Sequence, residues 1–302
     1  MKKILLIILT AAINIGTPFS KEINWDTELI ISNLKKCENK EFRNNCIDLE
    51  KLPDGTTYYG EFSNSIREGY GVAIFNDESR YEGIFKNGWR FSGTQKYKNG
   101  GTYTGSFKNG ARHGDGKYLF PDGTLYEGGF QNGNYAGKAT IKYASGDIYI
   151  GDLKDLKFDG EGEYSSKNGQ IYRGQYKDGK RHGTGRLQYV NGDIYEGEFE
   201  KGSYSGHGIL KYKNGEIYIG NFENGSASGF GEYKFQDGTK YIGGFNKGRF
   251  SGRGIEMLGE EIISRQGIWD DGELINAEAF DIDQLSTKLN MKSQIEIENL
   301  KS

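Results

Sequence analysis

The sequence is poor in the residues on which closed cores and most catalytic sites depend. Of its 302 residues, 3 are prolines, 3 are histidines and 2 are cysteines. Hydrophobic residues make up 35% of the chain, which is below the usual share of a globular domain. In their place the chain has 47 glycines, 21 tyrosines and 17 phenylalanines. This composition argues against an ordinary closed core and suits thin layers of strands joined by tight turns.

An excess of positive charge is also missing. The formal net charge is -3, whereas a protein that neutralises many phosphates carries a clear basic excess. Basic residues recur in the expected turns, for example Lys108 and Arg112, but acidic residues such as Glu127 lie between them. The sequence therefore predicts no nucleic-acid partner.

No set of catalytic or ligand-binding residues stands out. His113 and His182 occupy the same position in two Arg-His-Gly segments, which would lie about 30 Å apart in a regular array of strands. They cannot share a metal ion, and His207 has no partner residue. The glycines follow the repeat period rather than a phosphate-binding pattern, and the sequence contains no calcium loop and no Ser, His and Asp set. We therefore expect no enzymatic activity, no cofactor and no small-molecule substrate.

The feature that the sequence has in abundance is a short repeated pattern of Tyr, any residue, Gly, any residue, and then an aromatic residue or Leu. Its starting tyrosines recur every 23 residues, except for one gap of 22 after Tyr81. A fixed period of this size means that each unit buries its apolar face only against its neighbours. The pattern residues are Tyr58, Gly60 and Phe62; Tyr81, Gly83 and Phe85; Tyr103, Gly105 and Phe107; Tyr126, Gly128 and Phe130; Tyr149 and Gly151; Tyr172, Gly174 and Tyr176; Tyr195, Gly197 and Phe199; Tyr218, Gly220 and Phe222; Tyr241, Gly243 and Phe245.

Each unit has the signals of a β-hairpin. In the unit that starts at Tyr103, Asn109-Gly110 favours one tight turn and Pro121-Asp122-Gly123 favours a second. Residues two apart in a strand share a face, so Tyr103, Gly105 and Phe107 point the same way. The glycines leave room for the rings of adjacent units to stack. The sequence thus predicts one long antiparallel meander, roughly 90 Å long at the usual strand spacing.

Some units depart from the pattern. The second is one residue short near Ser92, the fourth has Ala139 in place of a glycine, and the fifth has Leu153 in place of the ring and Ser166 in place of a return-strand ring. We expect local bends or weaker packing at these positions.

The pattern, followed by Gly-x-Gly and an Asn-Gly or Asp-Gly turn, resembles the membrane occupation and recognition nexus (MORN) repeat. The resemblance covers residues 58 to about 272 and includes a degenerate closing unit at Arg265, Gly267 and Trp269. It implies a single-layer, twisted sheet of β-hairpins that serves as a scaffold for protein contacts or, in some members, for lipid contact. It implies no catalysis by the repeats. We assign the array to residues 51–272.

The residue before each starting tyrosine lies on the opposite face of the sheet. Five consecutive units have an apolar residue there, which we call the Ile row: Leu125, Ile148, Ile171, Ile194 and Ile217. Either these residues reflect β-propensity in half-exposed strands, or something covers them, because long exposed apolar strips are uncommon on soluble monomers. The sequence leaves both explanations open and makes the row a possible interaction surface.

The start of the chain resembles a secretory signal peptide, which we assign to residues 1–20. Two lysines precede a mostly apolar stretch over residues 4–13, and this stretch is shorter than the about 20 residues of a membrane span. Whether the segment is cleaved or kept as an anchor stays open. Export favours a disulfide between Cys37 and Cys46, since a zinc site would need a further Cys or His nearby.

Two flanking segments have apolar residues at helical spacing. Residues 21–50 contain Trp25, Leu29, Ile30 and Leu34, and residues 273–302 contain Ile282, Leu285, Leu289 and Leu300. The spacing predicts short amphipathic helices at both ends of the all-β array.

Taken as a whole, the sequence predicts a non-enzymatic, exported repeat scaffold that binds a protein partner in the cell envelope, in the periplasm or outside the cell. Its composition is typical of a bacterial protein. Peripheral binding to phospholipid is the main alternative, and binding to cell-wall carbohydrate is a weaker one.

Overall fold

The computed structural model describes residues 34–259 and 262–279, and within these ranges the chain forms 21 β-strands and no helix. The strands are β1 Cys46–Lys51, β2 Thr57–Ser63, β3 Ile66–Ile74, β4 Arg80–Lys86, β5 Trp89–Lys96, β6 Thr102–Lys108, β7 Ala111–Leu119, β8 Leu125–Gln131, β9 Asn134–Lys142, β10 Ile148–Lys154, β11 Lys157–Ser165, β12 Ile171–Lys177, β13 Lys180–Gln188, β14 Ile194–Glu200, β15 Ser203–Lys211, β16 Ile217–Glu223, β17 Ser226–Lys234, β18 Lys240–Asn246, β19 Arg249–Leu258, β20 Ile262–Asp270 and β21 Glu273–Ala277.

Each strand pairs antiparallel with the next one along the chain, so that β1 to β21 form a single sheet. This confirms the predicted meander. At about 4.8 Å between strands, the sheet measures roughly 95 Å across its strands.

The turn residues explain why the chain reverses where it does. Asn109 and Gly110 have φ values of 51° and 78°, which a two-residue hairpin turn requires and which Asn and Gly tolerate best. In the second kind of turn, the backbone N–H of Thr124 donates to Asp122 Oδ1 at 2.8 Å, and Gly123 supplies a φ of 91°.

A bulge in each of the nine hairpins gives the starting tyrosine its hydrogen-bond partner. Between β6 and β7 the register shifts after Gly105, so Ser106 has no partner residue in β7. The hydroxyl of Tyr103 donates to the carbonyl oxygen of Ser106 at 2.8 Å. The same bond recurs from all nine starting tyrosines to the residue three positions on, at 2.7–3.0 Å. The tyrosine thus satisfies a carbonyl at the bulge.

The glycines of the pattern make room for this tyrosine ring. A Cβ on Gly105 would lie 2.4 Å from Tyr103 Oη, and a Cβ on Gly116 would lie 2.5 Å from Tyr103 Cε2. Both contacts are too short for real atoms. The ring therefore lies directly over bare backbone of its own hairpin, on what we call the aromatic face of the sheet.

The rings of successive units form a ladder along this face. Tyr58, for example, contacts Phe62 of its own unit at 5.3 Å and Phe85 of the next unit at 4.8 Å between ring centroids. The rings meet edge to face rather than in the stacked arrangement that the sequence suggested, which is the geometry that aromatic quadrupoles favour. The nine starting tyrosines are buried, with at most 3% of their surface exposed.

Trp269 closes the ladder, as its place in the degenerate unit predicts. Its ring meets Tyr241 edge to face at 5.3 Å, in the position that a phenylalanine of the next unit would fill. Trp269 Nε1 also donates to the carbonyl oxygen of Gly254 at 3.0 Å.

The irregular units differ in how they accommodate their substitutions. Leu153 is buried, but among the described residues no ring contact joins Tyr126 to the fifth unit, so the ladder is interrupted there. At Ala139, Tyr126 keeps its hydrogen bond, at 2.8 Å to Gly129. The short second unit adjusts at its bulge, where the register shift lies between Ile84 and Phe85.

The sheet extends beyond the predicted array of residues 51–272 at both ends. Strand β1 lies largely within the segment 21–50, and β21 lies within the segment 273–302. Neither strand carries the Tyr-x-Gly pattern, so the repeat period could not reveal it. The predicted helices and the predicted signal peptide lie outside the described residues, except for Leu34.

The predicted disulfide is present. Cys37 and Cys46 are joined, with their Cα atoms 5.0 Å apart. The bond holds residues 35–37 against the edge of β1, where the N–H of Cys37 donates to the carbonyl oxygen of Ile47 and the N–H of Ile47 donates to that of Lys35, both at 3.0 Å. This contact covers part of a sheet edge that would otherwise be open to pairing.

Candidate interaction surface

The Ile row lies in register on the outer face, the face opposite the tyrosine ladder. Leu125, Ile171, Ile194 and Ile217 are half-buried, and Ile148 is 37% exposed. The row is not the continuous apolar strip that the sequence suggested, because a return-strand residue stands between each pair of neighbours. These residues are Lys142, Ser165, Gln188 and Lys211. Apolar side chains thus alternate with polar or charged ones along the row.

Ion pairs lie beside the Ile row on the outer face. Their carboxylates stand two residues along each strand from the row, and Lys142 and Lys211 reach them from the row itself. Lys117 and Lys142 pair with Glu127, Arg173 pairs with Glu163, and Arg186 and Lys211 pair with Glu196. Hydrogen bonds from Lys117 and Lys142 hold the pKa of Glu127 below its usual value, and Arg173 does the same for the pKa of Glu163. Because such exposed pairs contribute little to stability, their main effect is to fix the charge pattern of the face.

A shallow groove crosses the outer face near its middle. It is lined by Lys138, Thr140, Ile150, Glu163 and Arg173 among others, and the side chain of Ile150 is 53% exposed. The groove therefore offers an apolar side chain between charged ones, as the Ile row does.

The aromatic face offers less binding surface, because in eight of the nine units an Arg or aromatic residue nine positions after the starting tyrosine lies against its ring. The remaining unit has Ala227 there. Phe158 stacks on Tyr149 with 3.7 Å between ring centroids, and the guanidinium of Arg112 lies 5.8 Å from the ring centre of Tyr103. The sequence analysis missed this layer, whose only signal is an Arg or aromatic residue at that position in most units. Burial raises the pKa of Tyr103 to about 12, which reflects how well its ring is enclosed.

The three histidines lie in separate hairpins, His113 in β7, His182 in β13 and His207 in β15. In the described part of the chain, no group of three or more His, Cys, Asp or Glu residues is placed to hold a metal ion. Over the same residues, no helix is long and apolar enough to cross a membrane.

Comparison with known families decides what these hairpins are. The sequence model of the MORN repeat matches eight segments that together make up more than half of the chain: residues 58–80, 103–125, 126–148, 149–171, 172–194, 195–217, 218–240 and 241–258. The chain belongs to the MORN repeat family. The matches pass over residues 81–102, which form the unit that is one residue short, and they confirm the resemblance that the sequence pattern indicated.

Solved structures show a weaker likeness to this MORN repeat protein. The TCP10 domain of CPAP from Danio rerio is 12% identical over 74% of this chain and 100% of that chain, with a TM-score of 0.39. The TCP domain of SAS-4 from Drosophila melanogaster, in complex with a proline-rich motif of Ana2, is 12% identical over 66% of this chain and 90% of that chain, with a TM-score of 0.31. These values are too low to assign a function. No curated protein shows a significant sequence match.

Proposed function

We propose that this MORN repeat protein is a non-enzymatic, exported scaffold whose outer face binds a protein partner in the cell envelope. The observation that carries the proposal is the Ile row, in which five successive units present an apolar side chain at one register position. With two strands per unit, the row extends over about 38 Å. An extended surface of this kind suits an extended partner.

The residues between the isoleucines suggest the chemistry of that partner. Lys142 and Lys211 alternate with Ile148 and Ile217 along the row, and their ammonium groups pair with Glu127 and Glu196. A partner that inserts apolar side chains beside the isoleucines and places polar groups against these ion pairs would match the face on both counts.

Export is part of the proposal and has separate support. Residues 1–20 resemble a signal peptide, and the disulfide between Cys37 and Cys46 is of the kind that forms in oxidising compartments. Both features favour the periplasm or the cell exterior.

A double substitution in the Ile row tests the proposal. Ile171→Lys with Ile194→Lys places two charges in the row, and crosslinked affinity capture from the native envelope is compared for this variant and the parent chain, residues 21–302. The matched control is Thr104→Lys with Thr184→Lys, which adds the same charge at exposed outer-face positions. We expect a specific protein to be captured by the parent and the control and to be lost with the Ile-row variant.

Two other results would count against the proposal. Equal capture by all three forms would show that the Ile row is not the binding surface. Loss of the β-sheet circular dichroism signal in the Ile-row variant would show that the row serves internal packing instead.

Phospholipid binding is the second candidate, because basic residues such as Lys108, Lys177 and Lys180 are exposed at the hairpin turns. Arg112 and Arg181, however, lie over aromatic rings rather than projecting to solvent. Sedimentation with anionic vesicles, with and without added salt, would detect such binding, and binding that falls with salt would favour lipid. Carbohydrate binding is weaker still, since the starting tyrosines are buried and cannot stack on a sugar ring.

A further inference from the structure

The outer face is unexpectedly buried at its C-terminal end. In β19, Ile255 is 0% exposed and Met257 is 7% exposed. Both residues belong to the outer face, because they stand opposite Ile242 and Lys240 in β18. On a single sheet, full burial of a side chain on this face requires neighbouring side chains or another segment of chain to lie over it.

The equivalent residues of an earlier hairpin are more exposed. Ile209 and Lys211 of β15 stand in the same places relative to their glycine, Gly208, as Ile255 and Met257 do to Gly254. Ile209 is half-buried and Lys211 is exposed. Val72 of β3, which directly follows Gly71, is also buried, at 2% exposed, but Ile74, two residues on, is only half-buried. Among the described hairpins, burial of both positions together is therefore specific to the C-terminal end.

Gln266 gives a second, independent indication at the same place. It stands directly opposite Ile255, and its side-chain Oε1 is buried without a hydrogen-bond partner among the described residues. A buried amide oxygen normally accepts a hydrogen bond. The site thus has both an apolar patch and an acceptor that call for a covering group with a donor.

The chain leaves the last strand beside this site. The backbone N–H of Glu278 donates to the carbonyl oxygen of Gln266 at 3.3 Å, and the carboxylate of Glu278 pairs with Arg253 at 3.2 Å. Residues 280–302 follow directly. Even as a helix, a segment of this length reaches about 35 Å, which is far more than the two strand spacings, about 10 Å, that separate β20 from β18.

The chemistry of that segment matches the site. Ile282, Leu285 and Leu289 recur at helical spacing and supply an apolar face. Asp281 and Asp283 flank the first of them, whereas the outer face carries Lys234 and Lys240 beside the buried patch.

We propose that residues 280–302 fold back over the outer face and cover Ile255, Met257 and Gln266. Ile282, Leu285 and Leu289 supply the apolar contact. This fold-back does not depend on the proposed function. It does limit where a partner can bind, because it closes the C-terminal end of the outer face and leaves the Ile row open.

Met257 is a natural reporter for this contact. Methionine oxidises to the sulfoxide when it is accessible, so peroxide treatment followed by peptide mass spectrometry measures whether Met257 is covered. We compare the full chain with Leu285→Asp plus Leu289→Asp, which disrupts the apolar face of the segment without touching the sheet. The matched control, Gln284→Asp with Thr287→Asp, adds the same charge on the opposite side of a helix.

We expect Met257 to oxidise roughly tenfold faster in the Leu285 and Leu289 variant than in the parent or the control. Equal rates in the parent and this variant, whether slow or fast, would overturn the proposal, because the segment would then not be what covers Met257. Protection of the parent that disappears on dilution would also overturn it, since a second copy of the chain would then be the cover.

Discussion

Replacing a single pattern glycine tests the packing that the nine hairpins share. In Gly197→Ala, the new Cβ would lie 2.6 Å from Gly208 Cα and 2.7 Å from both the carbonyl oxygen of His207 and Tyr195 Oη. Two of these three atoms belong to the opposite strand of the same hairpin, so the clash cannot be relieved by a change of rotamer. Either the strands β14 and β15 separate locally or the tyrosine ring moves away.

The magnitude follows from these two consequences. Forcing an extra methyl group into a packed site costs about 1–3 kcal/mol. Displacing Tyr195 also breaks the hydrogen bond from its hydroxyl to the carbonyl oxygen of Glu198, which is 2.8 Å long, at a further cost of about 1 kcal/mol. We expect the free energy of unfolding to fall by about 2–4 kcal/mol.

Urea unfolding followed by circular dichroism measures this loss. The control is Thr184→Ala, an exposed outer-face residue of β13, for which we expect a change within about 0.5 kcal/mol. In a repeat array a local loss of this size can also split the transition into two, since each unit is stabilised by its neighbours. If Gly197→Ala unfolds at the same urea concentration as the control, the glycine is not required by the tyrosine ring and the packing argument is wrong.

Two further predictions concern the ladder. In Tyr218→Phe the carbonyl oxygen of Asn221 loses the hydroxyl that donates to it at 2.8 Å. We expect urea unfolding to show that the free energy of unfolding falls by about 1–2 kcal/mol. An unchanged free energy of unfolding would mean that the bulge carbonyl does not need the tyrosine. Leu153→Phe restores a ring where the ladder is interrupted between Tyr126 and Tyr149. We therefore expect the free energy of unfolding, measured by thermal or urea unfolding, to rise by about 0.5–1.5 kcal/mol. A lower free energy of unfolding would show that the site is too small for the ring.

The sequence predicted the repeat, the meander and the face on which each pattern residue lies, because the 23-residue period and the two-residue alternation of a strand are both local. It also placed the disulfide and Trp269 correctly. It did not reveal which residues alternate with the Ile row, such as Lys142 beside Ile148. That pairing depends on the turns and on the register shift at the bulge, and neither can be inferred from the spacing of the tyrosines.

The layer that covers the tyrosines was missed for a related reason. In most units the residue nine positions after the starting tyrosine lies back over its ring, and this position accepts chemically different side chains, Phe158 in one unit and Arg112 in another. A pattern search that looks for one residue type does not detect such a position. Strands β1 and β21 escaped detection because they extend the ladder of backbone hydrogen bonds without carrying the repeat pattern.

The burial of the starting tyrosines determines how the protein responds to alkaline pH. Burial raises the pKa of Tyr81 and Tyr103 to about 12, above the value of about 10 for an unfolded chain. The folded chain therefore binds more protons than the unfolded chain in this range. The stability that these groups contribute is fully present below about pH 10 and is lost as the pH rises towards 12, by up to about 1.4 kcal/mol per pH unit for each tyrosine.

The most direct test of the ladder is a single alkaline titration that follows tyrosinate absorbance and the β-sheet circular dichroism signal on the same sample. If the starting tyrosines are enclosed as described, they stay protonated while the sheet is intact and ionise together, in one step, as the sheet signal disappears. Ionisation of all the tyrosines near pH 10, with the sheet signal unchanged, would contradict the buried ladder on which the fold depends.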